Sequence, residues 1–210
     1  MGIALVDYGA GNLTSVRKAF AHLGAEIYTP AAPADLGRAA AVVVPGVGHF
    51  SATRSLGPDW HAAVRSALDV GKPLLGICVG MQWLYEGSTE APGCAGLGVI
   101  PGRCTKLTGG PGALKVPHVG WNTLRFPKPS VLLEGLPAES SVYFTHSFAG
   151  PVNDATAAST EYGGESFSAA VEAGLVMGVQ FHPEKSSDVG LTILRNFLRR
   201  VAARAEAGVV

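Results

Sequence analysis

The chain has 210 residues, enough for one large α/β domain or two small ones, and we expect a single domain over residues 1–210. Hydrophobic residues make up 47% of the sequence and charged residues 15%, which excludes an intrinsically disordered chain. The 16 basic and 16 acidic residues give zero formal net charge, which argues against nucleic acid or an anionic membrane as the partner.

The first third of the chain alternates short apolar runs with helical periodicity. Asn12 is expected to cap a helix that Gly24 ends, and a second helical pattern runs from Trp60 to Gly71. Strands are predicted at 3–6, 26–29, 40–44 and 74–77. The alternation predicts an α/β fold with an open flavodoxin-like or Rossmann-like sheet, largely parallel, and helices on both faces.

The second half of the chain has a different pattern. Residues 87–112 are rich in Gly and Pro and are expected to form loops. Strands then follow one another without helices between them, which indicates an antiparallel extension of the sheet; they are 142–145, 155–161, 167–171 and 176–181. Gly163-Gly164 is expected to form a hairpin turn, and a last helix is predicted over 189–205.

Cys78 lies where the strand 74–77 is expected to turn into a helix. The pattern Gly76-Ile77-Cys78-Val79-Gly80 is the thiol version of a nucleophile elbow, in which small residues flank a crowded turn. The positive end of the helix dipole favours a thiolate there, and the Val79 N–H is placed to donate to an oxyanion. The alternative, a buried structural cysteine, is commoner for an arbitrary cysteine but fits this context less well.

A candidate base follows about a hundred residues later, in His182-Pro183-Glu184. Pro183 keeps His182 extended, so the side chains of His182 and Glu184 project on the same side of the backbone. Glu184 is then placed to accept from one imidazole nitrogen while the other nitrogen faces a thiol. With Cys78, the motif completes a Cys-His-Glu triad.

A third motif, Pro45-Gly46-Val47-Gly48, follows the strand 40–44. The glycines allow a backbone conformation in which N–H groups of Gly46 and Val47 turn toward a reacting carbonyl oxygen. Considered alone, the segment is more simply a turn between a strand and a helix.

The cysteines and the N-terminal segment predict a cytoplasmic protein. The first residues lack the pattern of a signal peptide, and no apolar run is long enough to cross a bilayer. The three cysteines have no disulfide-framework spacing, which favours a reducing compartment. The histidines form no HxxxH pair and none lies beside a CxxC motif, so we expect no metal and no cofactor.

Together these motifs resemble those of the class I, or triad, glutamine amidotransferases, and the resemblance covers nearly the whole chain. Within that class the chain is similar to the glutaminase subunits of imidazole glycerol phosphate synthases. The narrower resemblance rests on four segments: 7–13, 117–122, 143–148 and 180–186. Val79 and Phe148 depart from the family pattern, because Leu and Tyr are more usual at those positions.

The resemblance implies a role for each motif. Cys78 would attack the side-chain amide of glutamine and release ammonia, while His182 shuttles the proton and Glu184 orients the imidazole. The positions that match the glutamine-binding residues of the family are Gly48, Gln82, Glu90 and the backbone of Ser147 and Phe148.

The resemblance also implies a partner, a (β/α)8-barrel cyclase that forms a heterodimer with the glutaminase. The cyclase uses the ammonia to cyclise a phosphoribulosyl-formimino ribonucleotide. The positions expected to face it are Asn12, His118, Trp121, Asn122, Tyr143 and Lys185. The chain is expected to be too short to contain the ammonia-accepting site as well.

The sequence leaves three other functions open. One is a glutaminase that serves another synthase, such as anthranilate synthase, against which the segment 117–122 argues. Another is a free-standing cysteine hydrolase or peptidase, and a third is a degenerate scaffold subunit, which an intact triad makes a poor fit. His146 is open between a binding role and that of a hydrogen-bonded structural histidine.

Overall fold

A computed structural model describes residues 2–111 and 114–208 of the chain. Its helices are α1 Leu13–His22, α2 Pro58–Asp69, α3 Val79–Leu84 and α4 Ser187–Glu206. Its strands are β1 Ile3–Leu5, β2 Ile27–Tyr28, β3 Ala41–Val44, β4 Leu74–Ile77, β5 Gly87–Ser88, β6 Arg103–Lys106, β7 His118–Thr123, β8 Ser141–His146, β9 Phe148–Ala149, β10 Thr156–Tyr162, β11 Glu165–Ala173 and β12 Val176–Val179. Short 3-10 helices occupy Pro33–Arg38, Phe50–Ser55 and Pro183–Lys185.

A seven-stranded sheet forms the centre of the described structure, in the order β10-β11-β12-β4-β3-β1-β2. The strands β12, β4, β3, β1 and β2 pair in parallel, whereas β11 pairs antiparallel with both β12 and β10. Every residue of β3 and β4 is buried, as expected of central strands that are covered on both faces. The predicted α/β class, with a largely parallel open sheet and an antiparallel extension, is confirmed.

Helices cover both faces of this sheet. In the sheet, β2 lies on one side of β1, whereas β4 lies on the opposite side of β3. Because connections between parallel strands are right-handed, the helices that join these two pairs, α1 and α2, lie on opposite faces of the sheet. Aromatic contacts join the helices of each layer: Phe20 of α1 meets Phe197 of α4, and His61 of α2 meets Trp83 of α3. The Asn12 side chain accepts a hydrogen bond from Ser15 N at 3.3 Å, so the predicted cap of α1 is present.

One predicted member of the extension is not part of the main sheet. Residues 142–145 belong to β8, which pairs antiparallel with β7 in a separate two-stranded ribbon. The prediction was wrong because apolar alternation identifies a strand without identifying the strand it pairs with. The hairpin turn at Gly163-Gly164 is as predicted, since positive φ angles of 62° and 82° suit a tight turn between β10 and β11.

The carboxyl ends of the parallel strands carry the motifs that the sequence singled out. Tyr8 follows β1, Pro45 follows β3, Cys78 follows β4 and Gln180 follows β12. Because these strands run side by side in one direction, the sheet gathers the four segments along one edge, where open α/β sheets bind their ligands. Across residues 2–111 and 114–208, no helix is long and apolar enough to span a membrane.

Candidate active site

Cys78 occupies a strained turn between β4 and α3. Its φ of 53° and ψ of −110° lie outside the regions that ordinary residues prefer, at a cost of roughly 1–3 kcal/mol. Gly76 and Gly80 make the turn possible, since a Cβ at Gly80 would lie 1.8 Å from Val44 O and one at Gly76 would lie 2.6 Å from Gly80 O. The Cys78 N–H donates to Val179 O at 2.7 Å, which ties the turn to β12. The crowded turn expected of an elbow is therefore present.

His182 and Glu184 form a buried pair immediately beyond β12. The Nδ1 atom of His182 lies 2.8 Å from Oε1 of Glu184, and both side chains are 1% exposed. Pro183 follows a His182 backbone that is extended, with φ −101° and ψ 97°, as the sequence predicted. Ser186 fixes the segment from behind, because its hydroxyl donates to His182 O and accepts from Tyr143 N.

The pKa of His182 is raised to about 9. Burial acts in the opposite direction, but hydrogen bonding and charge at Cys78 and Glu184 outweigh it and favour the imidazolium. Among the described residues, no acceptor lies at both the distance and the angle of a hydrogen bond from Nε2 of His182. Cys78 nevertheless lies near enough to raise the pKa of His182. The arrangement holds a cation beside the sulfur, which is the electrostatic setting that favours a thiolate.

A cavity of about 210 Å³ opens beside Cys78. All five residues predicted to bind glutamine contribute to its wall, together with Cys78 and Val79; the five are Gly48, Gln82, Glu90, Ser147 and Phe148. Two of these side chains are fixed by hydrogen bonds: Gln82 Nε2 donates to Phe148 O at 2.8 Å, and Glu90 Oε2 accepts from Phe50 N at 2.7 Å. The wall also includes Pro117, Thr145 and His146.

The glycine segment after β3 packs tightly against the cysteine turn. A Cβ at Gly46 would lie 2.2 Å from Tyr8 Oη and 2.7 Å from Val79 Cβ, so only glycine fits at this position. The buried Tyr8 hydroxyl makes no hydrogen bond within the described residues, and burial followed by the charge of Cys78 raises its pKa. Gly46 therefore lies beside the turn, while Gly48 is the member of the segment that reaches the cavity.

Several residues predicted to face a partner lie together on the surface. Trp121 is 55% exposed on the outer face of β7, and its ring meets that of Tyr143 at 6.2 Å, in the opposite position of β8. Lys185 Nζ lies 5.8 Å from the centre of the Tyr143 ring. We call Trp121, Tyr143 and Lys185 the aromatic face. Asn12 is half-buried and caps α1.

His118 differs from the expectation that it faces a partner. Its side chain is 3% exposed, because position 118 belongs to the inner side of the ribbon, and it stacks between Phe144 and Tyr162. It is directly opposite His146, with Nδ1 of His118 3.3 Å from Nε2 of His146. Burial lowers the pKa of His118 to about 4 and, together with the neighbouring histidines, lowers that of His146 to about 3. Both rings are therefore neutral near pH 7.

Gln180 is a residue whose position the sequence reasoning missed. It is fully buried, its Nε2 lies 3.7 Å from Cys78 Sγ, and its Oε1 accepts from Gln82 Nε2 at 3.1 Å. The signal was present, since residues two apart on an extended segment share a side and Gln180 precedes His182 by two. In residues 2–111 and 114–208, no three His, Cys, Asp or Glu side chains are grouped to hold a metal ion.

The parallel sheet, the strained cysteine turn at its carboxyl edge and the adjoining cavity have the layout of enzymes built on a strand–nucleophile–helix turn. The model of the family named glutamine amidotransferase class-I matches residues 4–201 of the chain. The chain belongs to this family and is a glutamine amidotransferase.

Within that class, relatives of nearly equal length identify the subfamily. The "imidazole glycerol phosphate synthase subunit HisH" of Moorella thermoacetica is 42% identical, over 98% of this chain and 98% of its own. The protein of the same name from Methanothermobacter thermautotrophicus is 44% identical, over 96% of this chain and 100% of its own. These matches place the chain in the HisH family.

Solved structures share the fold. A structure described as glutamine amidotransferase has a TM-score of 0.73 at 22% identity and covers 96% of this chain and 100% of its own. The structure of PurLQS from Thermotoga maritima has a TM-score of 0.71 at 19% identity and covers 94% of this chain and 97% of that chain.

Proposed function

We propose that this chain is the glutaminase subunit of an imidazole glycerol phosphate synthase in histidine biosynthesis. It hydrolyses L-glutamine and delivers the ammonia to a (β/α)8-barrel cyclase, with which it forms a heterodimer. The observation that carries the proposal is the placement of Cys78, which lies on a strained turn in the wall of the same small cavity as the five predicted glutamine-binding residues. One domain over residues 1–210 is part of the proposal.

The reaction steps follow from the charges of the Cys78 thiolate and the His182 imidazolium. The Cys78 thiolate attacks the side-chain amide carbon of glutamine, and the His182 imidazolium gives its proton to the nitrogen as the C–N bond breaks. Ammonia leaves and a glutamyl thioester stays on Cys78. Neutral His182 then takes a proton from water, which attacks the thioester and releases glutamate. Glu184 stabilises the imidazolium through the 2.8 Å contact to Nδ1.

The negative oxygen of the tetrahedral intermediate requires donors at the turn. Val79 is the first residue of α3, so its N–H has no acceptor inside the helix and is available to the oxygen. Gly46 packs against the same turn, and the Gly46–Val47 segment is the proposed second source of an N–H. Losing one such donor costs about 100- to 1,000-fold in turnover, so the orientation of this peptide controls the rate.

The size of the cavity supports a substrate as small as an amino acid. At about 210 Å³ it is below the ~300 Å³ from which drug-sized ligand pockets begin. Glu90, fixed by Phe50 N, supplies a carboxylate for the α-ammonium group of glutamine, and the strand segment at Ser147 and Phe148 supplies backbone polar groups. These contacts favour a free amino acid over a peptide inside a longer chain.

The aromatic face supports docking of a second protein. Trp121 and Tyr143 are aromatic, a residue type enriched at interfaces, and Lys185 adds a cation at the edge. The proposed cyclase binds this face and performs the ring-closing lyase step, which forms imidazole glycerol phosphate and AICAR. All three cysteines are free thiols, which fits the proposed cytoplasmic location.

The test is reconstitution of the chain with a purified (β/α)8-barrel cyclase, with the nitrogen donor as the variable. Wild-type complex is expected to form product from glutamine or from added ammonium salt, whereas Cys78→Ala is expected to work with ammonium salt alone. Cys94→Ala is the matched control, because it also removes one buried sulfur but leaves the cavity wall unchanged.

Three conditions separate this function from its rivals: the chain alone, the chain with the barrel, and both with the acceptor nucleotide. The proposal expects glutamine hydrolysis to be slow in the first condition and fastest in the third. A free-standing hydrolase would be equally active in all three, a scaffold would be inactive in all three, and the glutaminase of another synthase would respond to a different partner. Normal glutamine-dependent synthesis by Cys78→Ala would refute the role of Cys78.

A further inference from the structure

A continuous series of hydrogen bonds runs from the surface of the β7–β8 ribbon to Cys78. It begins at half-buried Asn122, whose Nδ2 lies 3.4 Å from Nε2 of His118. It continues from Nδ1 of His118 to Nε2 of His146 at 3.3 Å, and from Nδ1 of His146 to Phe148 O at 3.0 Å. Phe148 is one of the residues of the cavity wall, so this outer half already connects the ribbon to the site.

The direction of each bond in the outer half follows from chemistry. A carbonyl oxygen can only accept, so Nδ1 of His146 carries the proton that is donated to Phe148 O. A neutral imidazole has one N–H, so Nε2 of His146 accepts from Nδ1 of His118. Nε2 of His118 is then an acceptor as well, and the Asn122 amide donates to it. The lowered pKa values of both histidines support the neutral forms that this assignment requires.

The inner half leads from Phe148 O to the sulfur. The amide nitrogen of Gln82 donates to Phe148 O at 2.8 Å and to Oε1 of Gln180 at 3.1 Å, which uses both of its hydrogens. Because Oε1 of Gln180 is engaged in this way, its amide nitrogen is directed to Cys78 Sγ, at 3.7 Å. Gln82 and Gln180 are both buried, so water does not compete for these bonds.

We propose that this series of bonds positions the Cys78 sulfur, with Gln180 as the group in contact with it and His118 and His146 as positioning residues behind. The inference rests on the proposed function only in that Cys78 is taken as the nucleophile. A sulfur fixed by a directed N–H donor keeps one orientation toward the amide carbon, and a thiolate gains a hydrogen bond from it. A misplacement of about 1 Å can cost about 100-fold in rate, so a change at His118 reaches the reaction without touching substrate.

The test compares two substitutions at His118 that differ in one property. His118→Phe keeps an aromatic ring between Phe144 and Tyr162 but removes both hydrogen bonds. His118→Asn loses the ring but places an amide N–H near the position of Nδ1, so it can still donate to His146. Tyr162→Phe is the control, because it keeps the ring stacked on His118 and removes only a hydroxyl that donates to Lys115 O, outside the series.

The first measurement is the rate at which iodoacetamide alkylates Cys78 in the chain alone, followed at that cysteine by mass spectrometry. His118→Phe and Gln180→Leu are expected to change this rate by about tenfold, whereas His118→Asn and Tyr162→Phe stay near wild type. The alkylation rate does not depend on glutaminase activity, so this measurement tests the inference separately from the proposed function. Unchanged alkylation in both His118→Phe and Gln180→Leu, with folding intact by circular dichroism, would overturn the inference.

The second measurement is glutamine hydrolysis in the complex with the barrel. His118→Phe is expected to lower kcat by about tenfold with little change in KM, and His118→Asn is expected to restore most of kcat. If His118 served only to pack its ring, the variant without a ring, His118→Asn, would be impaired more than His118→Phe, which keeps a ring. That reversed order would also overturn the inference. Should His118→Phe fail to fold, Gln180→Leu carries both measurements.

Discussion

His182 and the His118–His146 pair are both buried, yet their pKa values move in opposite directions. Burial penalises the imidazolium and lowers the pKa of His118 to about 4. At His146, burial and the charges of His118 and His182 together lower the pKa to about 3. The same penalty acts on His182, but its pKa rises to about 9. The difference lies in the hydrogen-bond partners. His182 bonds to a carboxylate and lies beside a thiol, whereas His118 and His146 bond to each other, to the Asn122 amide and to the Phe148 carbonyl.

The comparison shows how one fold assigns different tasks to similar side chains. A charged His182 can donate a proton to leaving ammonia, which a histidine that is neutral at pH 7 cannot do. A neutral His118–His146 pair can donate from one nitrogen and accept at the other, which a charged imidazole cannot do. Proton transfer is therefore expected at His182, and fixed hydrogen-bond direction is expected in the ribbon.

The largest expected effect comes from removing the charged histidine. His182→Asn is expected to lower glutamine-dependent kcat by about 10,000-fold, because both proton transfers lose their carrier. His118→Asn, the same substitution at a neutral histidine, is expected to leave kcat near wild type. Steady-state glutaminase kinetics of the two variants in the complex provide the test, and similar losses in kcat would contradict the different roles of the two histidines.

Glu184→Gln tests whether Glu184 stabilises the positive charge on His182. The amide can still hydrogen-bond to Nδ1 but stabilises the imidazolium less, so kcat is expected to fall by about 1,000-fold with KM nearly unchanged. Initial-rate measurements across glutamine concentrations separate the two parameters. A raised KM at constant kcat would instead assign Glu184 to substrate binding.

Because His118 and His146 are neutral in the folded chain, we expect the free energy of unfolding to fall in acid. His118 and His146 have folded pKa values below the ordinary value of about 6.5, so the unfolded chain binds protons that the folded chain does not. Their contribution is present above about pH 6.5 and is lost as pH falls toward 4, at roughly 1.4 kcal/mol per pH unit for each histidine.

Urea unfolding should therefore show a loss of about 4 kcal/mol from these two groups between about pH 7 and about pH 5. His118→Phe has one titrating histidine fewer, so its loss of stability over that interval should be smaller than that of wild type by about 2 kcal/mol. Equal slopes for wild type and variant would show that His118 is not held neutral by the fold.

The outer side of the ribbon should affect assembly without affecting chemistry. Trp121→Ala removes the most exposed ring of the aromatic face and is expected to weaken binding of the barrel by about 2 kcal/mol, or about 30-fold in Kd. At saturating barrel, turnover should return to wild type. Titration calorimetry together with activity at high barrel concentration tests both statements.

Much of the architecture was predictable because local signals determine it. The apolar runs that became β3 and β4, the Asn12 cap and the hairpin turn at Gly163-Gly164 each depend on nearby residues. The cysteine turn was equally local, since two glycines four residues apart are what its close backbone contacts require.

What was missed depends on contacts between distant segments. The strand β7 was not identified, because His118, Gly120 and Asn122 on its inner side carry little apolar signal. Its pairing with β8 then decides that His118 is buried against Phe144, a fact that no local pattern contains. The contact of Gln180 with Cys78 likewise requires β12 to lie beside β4.

We expect the folded chain to keep His182 charged beside Cys78 while it keeps His118 and His146 neutral. The most direct measurement is an NMR pH titration of the chain labelled with ¹⁵N-histidine, assigned by single substitutions and repeated in Cys78→Ala. We predict that His182 stays an imidazolium up to pH about 9, that its pKa falls when Cys78 is removed, and that His118 and His146 stay neutral down to pH about 4. A His182 that titrates at or below the ordinary value of about 6.5 in the wild-type chain would contradict the account.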